Sequence, residues 1–266
     1  MKIEVLVATM NQKNLEKYKE MNLNSDAILM NQDDRWEYKE ENINGKKVKI
    51  ITTSDRGVGK NRNKGLAESD ADICILADDD MRYEDNYAEI VSKAFEELPN
   101  ADIIVFNITT VGVETRKRRM NKQIKKINLF NCLNYGAARI TFRREEILKK
   151  NIWFSILYGG GAKYSSGEDS LFLLEAIRKG LNVYVYPANI AYVKQEESTW
   201  FKGYNEKYFF DKGVWIANAF PKIKNILVIY FAFKLKNKTN ELNFKKIFKI
   251  MKMGIKKFEE CTLVEK

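Results

Sequence analysis

Ile73-Cys74-Ile75-Leu76-Ala77-Asp78-Asp79-Asp80 decides how this chain is read. Five apolar residues in succession fit a strand buried on both faces, the kind found inside a parallel sheet. Three carboxylates then follow at its carboxyl end, where their charges repel. A hard cation such as Mg²⁺ or Mn²⁺ relieves that repulsion, held by one or two carboxylates while substrate phosphates fill other positions. The other reading of the same triplet is a solvated acidic turn.

Outward from this strand, apolar runs alternate with helical segments. Strands are expected at Ile3–Thr9, Ala27–Met30, Val48–Thr53 and Ile103–Ile108, with helices at Leu15–Met21, Val58–Glu68 and Tyr83–Leu98. This alternation predicts an α/β fold, a mainly parallel sheet covered on both faces. Ligands of such sheets sit at the carboxyl ends of the strands. The loops after Thr9, Met30, Thr53 and Ala77 should therefore share one crevice. Further on, Thr115–Lys126 reads as a basic, mobile excursion and Ala138–Arg143 as a strand. Tyr158-Gly159-Gly160-Gly161 reads as a glycine turn. Ser170–Lys179 reads as a helix closed by Gly180, and Val183–Tyr186 as a strand stopped by Pro187.

The composition narrows the chemistry. The chain has 266 residues, 45% of them hydrophobic, which suits one large α/β domain, or one domain plus a modest extension. It contains no His. That removes a Ser-His-Asp triad, a Cys-His nucleophile pair, a His-ligated zinc and an imidazole proton shuttle. Acid–base work falls to Asp, Glu, Lys, Tyr or Cys. The three cysteines, Cys74, Cys132 and Cys261, form no CxxC spacing, so a reduced cytoplasmic chain is expected. The amino-terminal MKIEVLVATM reads as a first strand and makes a poor signal peptide. The longest apolar run, Ile226 to Phe233, is far short of the ~20 residues a spanning helix needs.

Two further stretches carry chemistry. Asp55-Arg56-Gly57-Val58-Gly59-Lys60-Asn61-Arg62-Asn63 follows the third expected strand and enters a helix. Its glycines permit close backbone approach and its cations suit a diphosphate, although it is neither a Walker A loop nor GxGxxG. Read blandly, it is a helix start with surface cations. Glu168-Asp169 follows a glycine-rich loop, at the start of a helix whose dipole a carboxylate complements. In a chain without histidine, a carboxylate is also the natural general base.

The order of these pieces resembles family 2 glycosyltransferases of the GT-A (Rossmann-like) fold. The pieces are Ala8-Thr9-Met10-Asn11 after the first strand, Arg56-Gly57 through Arg62-Asn63, Asp78-Asp79-Asp80, a glycine turn, and Glu168-Asp169. The resemblance covers residues 1 to about 200. Glu168-Asp169 and the Ser198-Thr199-Trp200 region are similar to those of enzymes building bacterial surface polysaccharides. The resemblance implies an inverting enzyme with a nucleotide-sugar donor, a divalent metal, and a glycan or lipid-linked glycan acceptor. Thr9, Asn11, Arg62, Asp78 and Asp79 would lie on the nucleotide-sugar. Asp80 would be the direct metal ligand, with Asp78 beside it. Asp169 would be the base and Glu168 its neighbour. Gln32 stands where the family commonly has an Asp that meets the nucleotide base. A Gln amide can pair with uracil, which keeps uridine as the expected nucleoside.

The charge is concentrated in the last quarter. Residues 201–266 hold fifteen Lys, no Arg, five Glu and one Asp, which is +9 of the chain's net +10. This gives two expected parts: a GT-A domain over 1–200, and a basic, mainly helical extension over 201–266. Apolar residues recur at three- and four-residue intervals from Asn243 to Phe258, as in an amphipathic helix. Residues 220–258 could lie on an anionic membrane surface, making the enzyme peripheral on the inner face of the plasma membrane. They could equally pack on the main domain with a solvated lysine face. With no arginine in the tail and no recognition motif, nucleic acid is not an expected partner.

Two other functions compete. A sugar-nucleotide nucleotidyltransferase would share the sheet and the acidic site, but it calls for a glycine-rich loop where Thr9-Met10-Asn11-Gln12 stands. A non-catalytic membrane-surface binding protein would use the tail without needing Asp78, Asp80 and Asp169 together.

Overall fold

The computed structural model describes residues 1–112, 120–129, 131–194 and 203–264. They form two compact units. The first comprises residues 1–157 and 168–197, and the second residues 158–167 and 198–266.

The first unit is an α/β fold on a ten-stranded mixed sheet. In chain order its strands are β1 (Ile3–Met10), β2 (Asp26–Gln32), β3 (Glu37–Ile43), β4 (Lys46–Thr53), β5 (Ile73–Asp78), β6 (Met81–Tyr83), β7 (Ile103–Val111), β8 (Lys125–Lys126), β9 (Ile140–Arg143) and β10 (Val183–Lys194). Its helices are α1 (Glu16–Glu20), α2 (Val58–Glu68), α3 (Tyr87–Glu97), α4 (Arg144–Lys149) and α5 (Glu168–Arg178). The sheet order is β3-β4-β2-β1-β5-β9-β7-β10-β6, with β8 on β10. The β4-β2-β1-β5 segment is parallel. Its strands are buried on both faces, which is why they read as continuous apolar runs. The chain moves from β1 to β2 on one side and returns to β5 on the other, so β1 lies at a topological switch point. The register brings the strand ends level: Ala8 faces Asp78, Met10 faces Gln32, and Gln32 faces Thr53.

Several elements differ from the sequence reading. β3 and β4 form an antiparallel hairpin, turned by Asn44 and Gly45 at φ 52° and 78°. The left-handed pair is the Asn-Gly hairpin signal, and β3 escaped notice because its exposed edge is charged rather than alternating. The expected helix from Tyr83 begins only at Tyr87, because Met81–Tyr83 pairs with β10. The expected strand from Ala138 begins at Ile140, after a short 3₁₀ turn. Pro187 does not end β10. It falls at a register shift between Val185 and Asn189, where a missing N–H costs no ladder bond. Of the expected excursion, residues 115–119 lie outside the described residues, and Lys125–Lys126 forms β8 against β10. Ser198-Thr199-Trp200 also lies outside them.

The second unit is helical, with α6 (Glu206–Ala219), α7 (Lys224–Leu235) and α8 (Phe244–Val264). Asn205 caps α6 by accepting from the Tyr208 N–H at 2.9 Å. The amphipathic face read in the tail belongs to α8. Ile247, Met251 and Ile255 on it are buried against α6. Two glycines set the spacing: a Cβ on Gly213 would meet the Met251 carbonyl at 2.1 Å, and one on Gly254 the Phe210 carbonyl at 2.2 Å. The apolar face of α8 is thus a packing surface. Among the described residues, no helix is long and apolar enough to cross a membrane.

Candidate active site

The carboxyl ends of β1, β2, β4 and β5 converge, as their parallel order requires. Asn31, at the end of β2, ties the loop after β1. Its Oδ1 accepts from the Gln12 N–H at 2.9 Å, and its Nδ2 donates to the Gln12 carbonyl at 2.9 Å and to Thr52 Oγ1 at 3.0 Å. Asn61 on α2 donates to the Met30 carbonyl at 2.8 Å. Asn11 sits at φ 58°, a left-handed conformation that asparagine tolerates, and its N–H donates to the Gln32 carbonyl at 3.0 Å. The Gln32 side chain accepts from the Gly57 N–H at 3.0 Å, so its carbonyl end fixes the loop that starts α2.

The three carboxylates at the end of β5 have different surroundings. Asp78 accepts from Arg62 at 2.8 Å. Asp79 accepts from the buried Thr9 hydroxyl at 2.5 Å, joining the ends of β1 and β5. Asp80 is exposed.

Arg62 is the centre of the arrangement. It projects from α2, is buried, and bridges Asp78 and Glu168 at 2.8 and 2.9 Å. Phe154 lies under its guanidinium, 5.6 Å to the ring centroid. Burial acts against this charge, but Asp78, Glu168 and Asp169 outweigh it and raise the Arg62 pKa further. One cation therefore fixes the end of β5 against the start of α5. Asn63 holds Phe154 in place through a reciprocal pair of backbone bonds, both 2.8 Å. Gly59 lets that segment approach, since a Cβ there would lie 2.2 Å from the Ser155 carbonyl.

Asp169 opens α5 beside Glu168. Its Oδ1 accepts from the Ser170 N–H at 2.6 Å, and its Oδ2 lies over Gly136, 3.6 Å from where a Cβ would stand. Its pKa is raised to about 6. Burial is the main cause and the Glu168 charge adds to it, while the Ser170 N–H and Arg62 pull the other way. Such a carboxylate is ionised at neutral pH and still basic enough to take a proton.

Around the crevice the structure thus gathers Thr9, Asn11, Gln32, Arg62, Asp78, Asp79 and Asp80, with Glu168 joined to them through Arg62 and Asp169 next to it in the chain. Sequence reasoning missed Asn31, Asn61, Asn63, Phe154 and Gly136, all of which act through tertiary contacts. The paired asparagines flanking Arg62 were the available signal. Among the described residues, no three carboxylates or thiols converge closely enough to hold a metal ion on their own.

This parallel crevice carries an acidic strand end, and a carboxylate pair opens the helix beside it. The chain belongs to Glycosyl transferase family 2, whose profile matches residues 31–166, just over half of the sequence. Among solved structures, it is similar to residues 1–349 of TarS from S. aureus in complex with UDP-GlcNAc. That likeness has a TM-score of 0.64 and 16% identity, and covers 91% of this chain and 74% of that one. The UDP complex of the same fragment gives 0.59 and 16%, covering 89% and 71%. The structure of S. aureus TarS itself gives 0.61 and 16%, covering 91% of this chain and 45% of TarS. At such identity the likeness is one of fold. No curated protein matches the chain.

Proposed function

We propose that this glycosyltransferase moves a sugar from a UDP-sugar to a hydroxyl of a glycan or lipid-linked glycan, inverting the anomeric carbon, in cell-surface polysaccharide synthesis. It would work in the cytoplasm, at the inner face of the plasma membrane. The observation that carries this reading is the Arg62 bridge, which fixes Glu168, and with it the adjoining Asp169, against the acidic end of β5. The complexes of the similar TarS fragment with UDP-GlcNAc and UDP support a uridine donor.

Thr9, Asn11, Gln32, Asp78 and Asp79 would receive the nucleotide, and Arg62 would act from beneath by setting Asp78 and Glu168. The chain's own donors fit a hard divalent cation only in part. Asp78 accepts from Arg62, Asp79 accepts from Thr9, and Asp80 is exposed to solvent. One exposed carboxylate suits Mn²⁺ or Mg²⁺ whose other ligands are diphosphate oxygens and water. When bound, such a cation would supply positive charge to stabilise the departing nucleoside diphosphate. Asp169 takes the proton of the acceptor hydroxyl. The freed oxygen bonds to the anomeric carbon as the bond to the diphosphate breaks on the opposite face. One displacement inverts the centre and needs no covalent intermediate. Glu168, fixed by Arg62, keeps the negative field that holds Asp169 basic.

Asp169→Asn tests the reading. Transfer should fall by roughly 10²–10⁴-fold, while calorimetric UDP affinity stays within a few-fold. In the unaltered enzyme, the rate should fall as pH drops through about 6, because the base becomes protonated. Turnover of Asp169→Asn close to that of the parent would assign the proton to another group. Asp80→Asn should abolish the gain in UDP affinity that Mn²⁺ brings, and an undiminished gain would remove Asp80 from the cation.

A further inference from the structure

Helix α7 carries an apolar stripe that is exposed among the described residues of its unit. Ile226, Ile229, Tyr230 and Phe233 recur at the i, i+3, i+4, i+7 spacing of one helix face. They are 69%, 53%, 53% and 64% exposed. Ile223, 45% exposed, extends the stripe at the amino end. The opposite face of α7 is the packed one, through the buried Val228 and Ala232. An exposed run of large apolar side chains on one face marks an interaction surface.

The charges around the stripe identify the partner. Lys234 lies 5.5 Å from the Tyr230 ring centroid, and Lys236 lies 4.2 Å from that of Phe233. Their ammonium groups therefore lie over rings of the stripe itself, so cations and apolar surface share one face. Elsewhere in this unit carboxylates take up lysines: Lys207 pairs with Asp211, Lys224 with Glu259, and Lys246 with Glu206. Among the described residues, Lys222, Lys234, Lys236 and Lys238 pair with no carboxylate. A second copy of the chain docked by a two-fold axis would set these cations against their own counterparts. A surface of anionic headgroups over hydrocarbon complements both features.

We propose that α7 is an interfacial helix that seats the enzyme on an anionic bilayer. Ile226, Ile229 and Phe233 enter the acyl boundary, Tyr230 lies at headgroup level, and Lys222, Lys234, Lys236 and Lys238 bind the phosphates. α8 takes no part, because its apolar face is spent on α6.

Sedimentation of the full chain with sucrose-loaded vesicles tests this. One set is pure phosphatidylcholine, and the other contains about one third phosphatidylglycerol. The protein should pellet with the anionic vesicles at low salt, release at high salt, and ignore the neutral ones. The double variant I226S/F233S should lose binding by at least about tenfold, and K234Q/K236Q by a smaller factor with a shallower salt dependence. Ile226, Phe233 and Lys234 are exposed and Lys236 is half-buried, so the melting temperatures of both variants should match the parent and show that they remain folded. The exposed α8 variant M253S should bind like the parent. Absence of binding to anionic vesicles would overturn the proposal, as would binding that I226S/F233S leaves intact. A dimer detected by light scattering that I226S/F233S dissolves, without vesicle binding, would assign the stripe to a second copy. None of these readouts depends on turnover.

Discussion

Helices α7 and α8 both present an apolar stripe bordered by lysines, yet one stripe is buried and the other is bare. The difference lies in what each can approach. α8 carries Gly254 opposite Gly213 of α6, and backbone meets backbone there with no room for a Cβ on either side. That closeness draws Ile247, Met251 and Ile255 out of water. α7 has no glycine among its twelve residues, and its fully buried residues are Val228 and Ala232. Hydrophobic periodicity thus states that a face wants cover. Small residues at a matching position on a neighbour state whether the protein itself provides it.

Four substitutions would break or sharpen this contrast, read as stability by chemical denaturation. The largest effect is expected for Gly254→Val. Its Cβ would meet the Phe210 carbonyl at 2.2 Å and the Val214 nitrogen at 2.9 Å, both backbone atoms that cannot swing aside. A loss of about 4 kcal/mol, or no folded protein, should follow. Met251→Ala, at a side chain with no exposure, should cost about 3 kcal/mol. Lys212→Ala should cost about 0.5–1 kcal/mol, because its ammonium lies 4.0 Å from the Trp215 ring centroid on α6 and 4.7 Å from that of Phe231 on α7. Ile226→Ser should stay within about 0.5 kcal/mol of the parent, since its side chain is already in water. If it matched Met251→Ala instead, the α7 stripe would be part of the core and its exposure would be wrong.

The sequence made the parallel strands legible because burial on both faces writes itself as an unbroken apolar run. The acidic strand end and the Glu168-Asp169 pair were legible because each is local. The link between them was not, because Arg62 and Glu168 are 106 residues apart and meet only when α2 and α5 pack on the same sheet. Gly59 shows the opposite hazard. Its place in a basic loop suggested approach to a phosphate, whereas what approaches it is the Ser155 backbone. β3 hid behind its charged edge, although its Asn44-Gly45 turn was written plainly.

The second unit is built from two separated pieces of chain, and the short piece is clamped by the long one. Asp211 accepts from the Ser165 N–H at 3.0 Å, and Trp215 donates to the Gly167 carbonyl at 3.3 Å. A Cβ on Gly167 would stand 2.4 Å from the Trp215 ring, at a φ of 115°. The ten residues that lead directly into Glu168-Asp169 thus have their mould in α6, 46 to 48 residues further along the chain. A swap of the tail alone between two such enzymes would graft a lock without its key. Working chimeras should exchange residues 158–167 and 198–266 as one cassette.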